Sequence, residues 1–228
     1  MSKPRSQSSR PTIPTRRSVL GLLAAAPAFA ARATPASGEA LVAAARRQIG
    51  VTTGYDHGYH VIAYPGGDVP ISTGVCADVV VRAARAAWGL DLQRLIHEDM
   101  GRAFAAYPKR WGLTAPDSNI DHRRVPNLET YWTRQGARLW HATSRTWGFA
   151  FPAPLAPGDI LTWRTFMNGG PHVAIVTAGG VLPRIVQNFG WGVQEDPLAF
   201  AWLDGAEGHY RWRPAAGIGH FAGRGGGV

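Results

Sequence analysis

The chain has 228 residues, and its 24 lysines and arginines against 15 acidic residues give a formal net charge of +9. Five of the basic residues, and none of the acidic ones, fall within residues 1–30. The bases in the rest of the chain are scattered rather than clustered, which argues against nucleic-acid binding. No stretch reaches the roughly 20 apolar residues that a transmembrane helix needs, which argues against stable membrane insertion.

The first 30 residues have the pattern of an export signal. The pair Arg16-Arg17 precedes a short apolar run at 21–26, and Ala28-Phe29-Ala30 supplies the small residues typical of a cleavage site. A twin-arginine signal peptide over residues 1–30 is therefore expected. It predicts that the rest of the chain is periplasmic or secreted.

The remainder reads as one domain between two flexible segments. Residues 31–38 form an Ala/Pro/Ser spacer and residues 214–228 a Gly-rich tail, which leaves 39–213 for the folded domain. Helix-periodic segments come first in this domain and short apolar strands come later. The predicted helices are 38–49, 76–88, 92–104 and 125–136, and the predicted strands are 159–163, 172–178, 185–189 and 209–212. This order indicates an α+β fold with N-terminal helices packed on a small antiparallel sheet.

Cys76 is the only cysteine in the chain, and it lies where a glycine-containing turn runs into a helix-periodic stretch. The unpaired N–H groups and the dipole at a helix N-terminus favour a thiolate, and hence a nucleophile. An unpaired thiol in an exported protein is either used or buried, because a single cysteine cannot form an internal disulfide. The alternative is a buried, inert cysteine.

Two later strands carry side chains that could complete a catalytic site. His172 opens one predicted strand, and Asn188 lies in the next. A cysteine, a histidine and an asparagine in this order are typical of papain-type chemistry, in which the histidine is the general base and the asparagine orients its ring.

Several motifs support a resemblance to known families. The run Tyr64-Pro65-Gly66-Gly67, the turn Ala156-Pro157-Gly158-Asp159-Ile160 and the strand-borne His172 resemble the NlpC-type branch of papain-like peptidases, which cut peptidoglycan stem peptides. Longer motifs, which cover essentially the whole mature domain, are similar to the family called domain of unknown function 1287. These motifs are Gly74-Val75-Cys76-Ala77-Asp78-Val79-Val80, His97-Glu98-Asp99-Met100, Asn119-Ile120-Asp121-His122-Arg123-Arg124-Val125-Pro126-Asn127 and Gly208-His209-Tyr210-Arg211.

The resemblance implies a papain-like fold and a cysteine amidohydrolase or peptidase that acts on cell-wall peptides. It implies that Cys76 is the nucleophile, His172 the general base and Asn188 the residue that orients the imidazole. Tyr64, twelve residues before Cys76, matches a supporting tyrosine of NlpC-type enzymes whose hydroxyl could help to stabilise an oxyanion. The Val75-Cys76-Ala77 sequence departs from the usual Asp-Cys-Ser of those enzymes, so the substrate pocket is expected to differ.

The loop that follows the third helix is a candidate substrate-binding segment. It concentrates Asp121, His122, Arg123 and Arg124 within four positions. Arg123 or Arg124 could pair with a peptide carboxylate and Asp121 could receive an amine, as a stem peptide requires. The alternative is a loop held together by its own salt bridges.

Three other functions remain open at this point. Zinc hydrolysis could use ligands drawn from His97, Glu98, Asp99, Asp121, His122 and His209, but no His-Glu-x-x-His spacing is present, and neither a metal nor another cofactor is expected. A non-catalytic domain that binds cell-wall peptide is the second possibility, with Cys76 buried and His172 hydrogen-bonded in the core. The third is acyl transfer through a Cys76 thioester. The sequence does not indicate an oligomeric state.

Overall fold

The computed structural model describes residues 36–143, 151–201 and 204–214. The predicted signal segment, residues 31–35 of the predicted spacer and residues 215–228 of the predicted tail lie outside these residues. The helices are α1 Gly38–Arg46, α2 Cys76–Trp88, α3 Leu92–Ala103 and α4 Val125–Arg134, and the strands are β1 Arg138–His141, β2 Ile160–Arg164, β3 Pro171–Ala178, β4 Arg184–Asn188, β5 Val193–Pro197 and β6 Gly205–Tyr210. The predicted α+β class, with helices first and an antiparallel sheet after them, is confirmed.

Helix α2 is the central helix of the helical layer. Its first nine residues, Cys76 to Ala84, are all buried. The carboxylate of Asp78 accepts a hydrogen bond from the N–H of Val75 at 2.7 Å, which satisfies one of the donors that a helix N-terminus leaves unpaired. The helix ends at Gly89, whose φ of 65° is left-handed and therefore favours glycine.

The six strands form one antiparallel sheet in the order β1-β6-β2-β3-β4-β5. Strands β2, β3 and β4 match the predicted segments within one or two residues, whereas β6 begins four residues before the predicted strand 209–212 and ends two residues before it does. Strands β1 and β5 were not predicted, because they are edge strands with few buried residues. No helix among the described residues is both long and apolar enough to cross a membrane.

The alternation of side chains along β3 divides the sheet into two apolar faces. Val173 and Ile175 pack with the four helices in the main core. Ala174 and Val176 point the other way, into a smaller cluster. That cluster is completed by Leu161, Trp163, Ile185, Leu198 and Ala201. His172 pairs directly with Trp163 in the sheet, so its side chain lies on the face away from the helices.

The turn before β2 touches the start of α1 so closely that no side chain fits between them. Gly158 has a φ of +78°, and a Cβ placed there would lie 2.4 Å from Cα of Gly38. We expect Gly158→Ala to destabilise the protein by about 2–3 kcal/mol or more, because the left-handed backbone costs roughly 1–2 kcal/mol and the two segments must also separate. Urea unfolding of the purified protein measures this.

Gly180→Ala is the matched control for this substitution. Gly180 has a similar φ of +83° but no atom within 4 Å of the added Cβ. It should therefore cost only the backbone term of roughly 1–2 kcal/mol. Equal destabilisation by the two substitutions would show that the close approach to α1 contributes nothing.

Candidate functional site

Cys76 is the first residue of α2, and its side chain is buried, with 3% of its surface exposed. The backbone N–H groups of Val173 and Ala77 and the hydroxyl of Tyr55 lie near the sulfur, and each lowers the pKa of the thiol. Burial nevertheless raises the pKa of the thiol to about 11, and the charge of Asp78 raises it further. The expectation of an activated thiolate is thus corrected: a helix N-terminus contributes about 1 kcal/mol, whereas desolvation can shift a pKa by several units.

The tyrosine beside Cys76 is Tyr55 rather than Tyr64. The Tyr55 hydroxyl lies against the thiol, and burial of that hydroxyl raises the pKa of Tyr55. Tyr64 instead packs edge-on against the ring of His97, with centroids 5.0 Å apart, and 43% of its surface is exposed. The prediction that Tyr64 supports the nucleophile is therefore corrected. The sequence separation of twelve residues was the only signal for Tyr64, and Tyr55 lay in a loop with no motif.

The imidazole of His172 is held between aromatic rings and by a hydrogen bond. The ring centroids of Trp163 and Phe189 lie 4.7 and 4.9 Å from that of His172. Its Nε2 is 3.0 Å from Oε1 of Gln187, and the amide nitrogen of Gln187 donates to Asp196 at 2.9 Å. Because the Asp196 carboxylate only accepts, it fixes the Gln187 amide with its oxygen toward His172. His172 therefore carries its proton on Nε2, which leaves the Nδ1 lone pair available as a base.

His172 is neutral at physiological pH, and it is not hydrogen-bonded to the thiol. Burial lowers the pKa of His172 to about 3, and the hydrogen bond to Gln187 offsets only part of that effect. Among the described residues, no hydrogen bond of His172 reaches Cys76 or Asn188. The Val173 N–H that contacts the sulfur belongs, however, to the peptide group that follows His172. The sulfur of Cys76 therefore lies near the backbone next to His172, although the imidazole of His172 points to the other face of the sheet.

Asn188 lies on the helix side of β4, and its amide is fully used by the backbone. Its Nδ2 donates to the carbonyls of Gly54 and Gly74, both at 3.0 Å. Its Oδ1 accepts from the N–H groups of Gly190 and Gly192, both at 3.2 Å. The prediction that Asn188 orients His172 is corrected, since Gln187 makes that contact. Asn188 instead ties the segments that precede Tyr55 and Cys76 to the sheet.

The predicted substrate-binding arginine Arg123 is a buried structural residue. Its guanidinium pairs with Asp78, with Nε 3.1 Å from Oδ1, and both side chains are about 3% exposed or less. Its remaining N–H groups donate to the carbonyls of Asp56 and Gly58. Arg123 therefore joins the start of α2 to the loop that follows Tyr55, and no donor of this fork points to solvent.

The other three residues of that loop are also paired or buried. Asp121 is 1% exposed and pairs with Arg124 at 2.9 Å, and Arg124 in turn stacks over the ring of Trp111. His122 is 2% exposed, and burial lowers its pKa to about 4. Of the two interpretations of residues 121–124, the structure favours a loop held by its own salt bridges over an open segment that binds a carboxylate.

The six residues considered for zinc hydrolysis are dispersed. Asp99 pairs with Arg134, and Tyr107 donates to it. His209 is fully buried and bonded to Asp159. His97 lies against Tyr64, and Glu98 pairs with Arg94. Asp121 and His122 belong to the loop described above, which is held by its own salt bridges. These residues therefore do not form one centre.

The chain belongs to a protein family defined by sequence. The model of the family "Domain of unknown function (DUF1287)" matches residues 42–212. A relative in Escherichia coli (strain K12), "Uncharacterized protein YijF", is 46% identical over 176 residues, which cover 76% of this chain and 80% of the relative. No solved structure matches the chain.

Proposed function

We propose that the protein is an exported cysteine hydrolase with an NlpC-like, papain-type domain, which cleaves amide bonds in cell-wall peptides. One observation carries the proposal. The sole thiol of the chain lies at the N-terminus of the central helix, against the peptide group that joins His172 to Val173. A nucleophile on a helix N-terminus beside a histidine-bearing strand is the arrangement that cysteine hydrolases use.

The reaction starts from a neutral Cys76 thiol and a neutral His172 imidazole. The Nδ1 of His172 takes the thiol proton as the sulfur of Cys76 attacks the carbonyl carbon of the amide. The carbonyl oxygen becomes an oxyanion, which the backbone N–H of Cys76 and the hydroxyl of Tyr55 stabilise. The C–N bond then breaks, the imidazolium returns the proton to the leaving amine, and water hydrolyses the thioester.

Two movements precede this reaction. The first residues of β3 rearrange so that the His172 imidazole leaves the Trp163 side of the sheet and reaches the sulfur, and the loop that carries Tyr55 opens to admit the peptide. The contact of the sulfur with the Val173 N–H, which belongs to the peptide group that follows His172, supports the first movement. The surface position of Tyr55, which is 39% exposed, supports the second. The twin-arginine pattern in residues 1–30 supports export, which would give such an enzyme access to the cell wall.

Digestion of purified peptidoglycan tests the proposal. The wild-type mature protein should release new amino termini, and Cys76→Ala should release none, because the thioester cannot form. His57→Ala, which changes an exposed histidine, serves as the control and should retain wild-type activity. Product mass distinguishes hydrolysis from transfer of the acyl group to another acceptor. Equal product release by the Cys76→Ala protein would refute the proposal.

A pair of tyrosine variants tests the revised site. Tyr55→Phe should lower kcat on peptidoglycan by roughly 10- to 100-fold, in keeping with the loss of one oxyanion donor. Tyr64→Phe should leave kcat unchanged, because its ring lies against His97 rather than the thiol. A rate loss in the Tyr64 variant alone would restore the assignment that sequence spacing suggested.

The second candidate is a non-catalytic domain that binds cell-wall peptide. The neutral thiol, with its pKa raised to about 11, and the neutral imidazole, with its pKa lowered to about 3, favour this candidate. Retention of the protein on purified wall without any product, in wild type and Cys76→Ala alike, would support binding over hydrolysis.

A further inference from the structure

A second group of polar side chains lies at the other end of the sheet. Glu129 on α4, His141 at the end of β1 and Glu207 on β6 each offer one ligand atom, and these atoms lie within 4.8 Å of one another. They line an open groove that also includes Arg164 and Tyr210. None of these residues belongs to the Cys76 site.

Arg164 contacts only one oxygen of each of the carboxylates of Glu129 and Glu207. Its Nη2 pairs with Oε1 of Glu207 at 2.5 Å and lies 3.7 Å from Oε2 of Glu129. The other oxygen of each group, Oε1 of Glu129 and Oε2 of Glu207, is buried and has no hydrogen-bond partner among the described residues. Glu129 itself is 7% exposed. An unpartnered buried carboxylate oxygen is costly unless a cation or donor reaches it.

His141 is oriented to complete the set. Its Nδ1 lies 2.9 Å from the carbonyl oxygen of Ala142, so Nδ1 carries the proton and donates it to that carbonyl. The lone pair is then on Nε2, the tautomer that metal-binding histidines adopt when a backbone carbonyl holds the other nitrogen. The backbone N–H of Ala142 also bonds to the carbonyl of Glu207, which fixes the spacing of the two strands.

We infer that Glu129, His141 and Glu207 form a binding site for Zn²⁺ or a chemically similar transition-metal ion, with an open position for water. One imidazole nitrogen and two carboxylate oxygens are a donor set that Zn²⁺ accepts, at about 2.0–2.2 Å from each ligand. Ligands of a tetrahedral Zn²⁺ lie roughly 3.4 Å apart, so ligand atoms separated by up to 4.8 Å need to approach one another by at most about 1.4 Å.

Both signs of charge line the groove. Arg164 faces the two glutamates, and Arg110, Arg134 and Arg138 also line it, so the donor atoms rather than an excess of negative charge would hold the ion. Mg²⁺ is not expected to bind, because it prefers an octahedral, all-oxygen site.

Calorimetric titration of the full-length, chelator-treated protein with zinc chloride tests the site. The wild type should bind one Zn²⁺, whereas His141→Ala and Glu207→Gln should each bind at least about 10-fold more weakly. His57→Ala should bind as the wild type does, and so should Cys76→Ala, because the thiol is not a ligand. Mg²⁺ should produce no binding heat.

X-ray absorption at the zinc edge gives a second readout. The bound ion should show nitrogen and oxygen neighbours at about 2.0–2.1 Å and no sulfur. Absence of zinc binding by the wild type, or wild-type affinity in His141→Ala, would overturn the inference. His141 is exposed at the end of an edge strand, so its replacement leaves the core intact. The site and the proposed hydrolase activity can fail separately, since their variants do not overlap.

Discussion

At about pH 7.5, iodoacetamide should modify Cys76 in the folded protein on the order of 100-fold more slowly than in the urea-unfolded chain. Only the thiolate reacts, and burial raises the pKa of the folded thiol to about 11. An unfolded cysteine has a pKa near 8.5, so the folded state holds far less thiolate. Mass spectrometry measures the rate without ambiguity, because the chain has one cysteine.

The pH profile of this reaction has a defined direction. The rate should rise about tenfold per pH unit as the pH increases and level off only near the folded pKa. Tyr55→Phe should slow the reaction further, because the Tyr55 hydroxyl lowers the pKa of the thiol through its hydrogen bond. Rapid modification near pH 6 would contradict the structure, since it would require a thiolate–imidazolium pair between Cys76 and His172.

Replacement of Arg123 by alanine should reduce the free energy of unfolding by about 3–5 kcal/mol. The substitution leaves Asp78 buried without its partner at the start of α2. It also removes the donors to the carbonyls of Asp56 and Gly58. Urea unfolding followed by circular dichroism measures the loss.

An exposed arginine provides the comparison. Arg102 also lies near a buried aspartate, Asp99, at 3.7 Å, but 67% of its side chain is exposed. Arg102→Ala should cost less than about 1 kcal/mol, as exposed ion pairs do. The double variant Asp78→Ala, Arg123→Ala should be destabilised by less than the sum of the two single variants, because the lone buried charge is gone. Strict additivity would show that the two side chains do not stabilise each other.

The helices were predictable because their signals are local. Gly89 ends α2, and Pro126 lies in the first turn of α4, where a missing N–H costs nothing. The central strands were predictable as apolar runs between turns. The edge strands β1 and β5 were missed because few of their residues are buried, and β1 also pairs with β6, which is distant in sequence.

The site was only partly predictable. Cys76 was correctly placed at a helix N-terminus, since Gly74 and the apolar period after it are local features. The rise in the pKa of its thiol could not be predicted, because it depends on burial by segments that are distant in sequence. The sequence also could not show on which face of the sheet the His172 side chain lies. Both alternating sets of β3 residues are apolar, Val173 and Ile175 on one face and Ala174 and Val176 on the other. A strand that is buried on both faces does not reveal which face meets the helices.

The inaccessibility of the sole thiol also makes the chain a ready host for site-specific labels. A maleimide dye added at neutral pH would find no native target in the folded protein, since Cys76 is 3% exposed and protonated. A cysteine introduced at Val181, which is 97% exposed in the turn between β3 and β4, would then be the sole position labelled. Fluorescence from a dye in that turn can then be recorded without removal of the native sulfur.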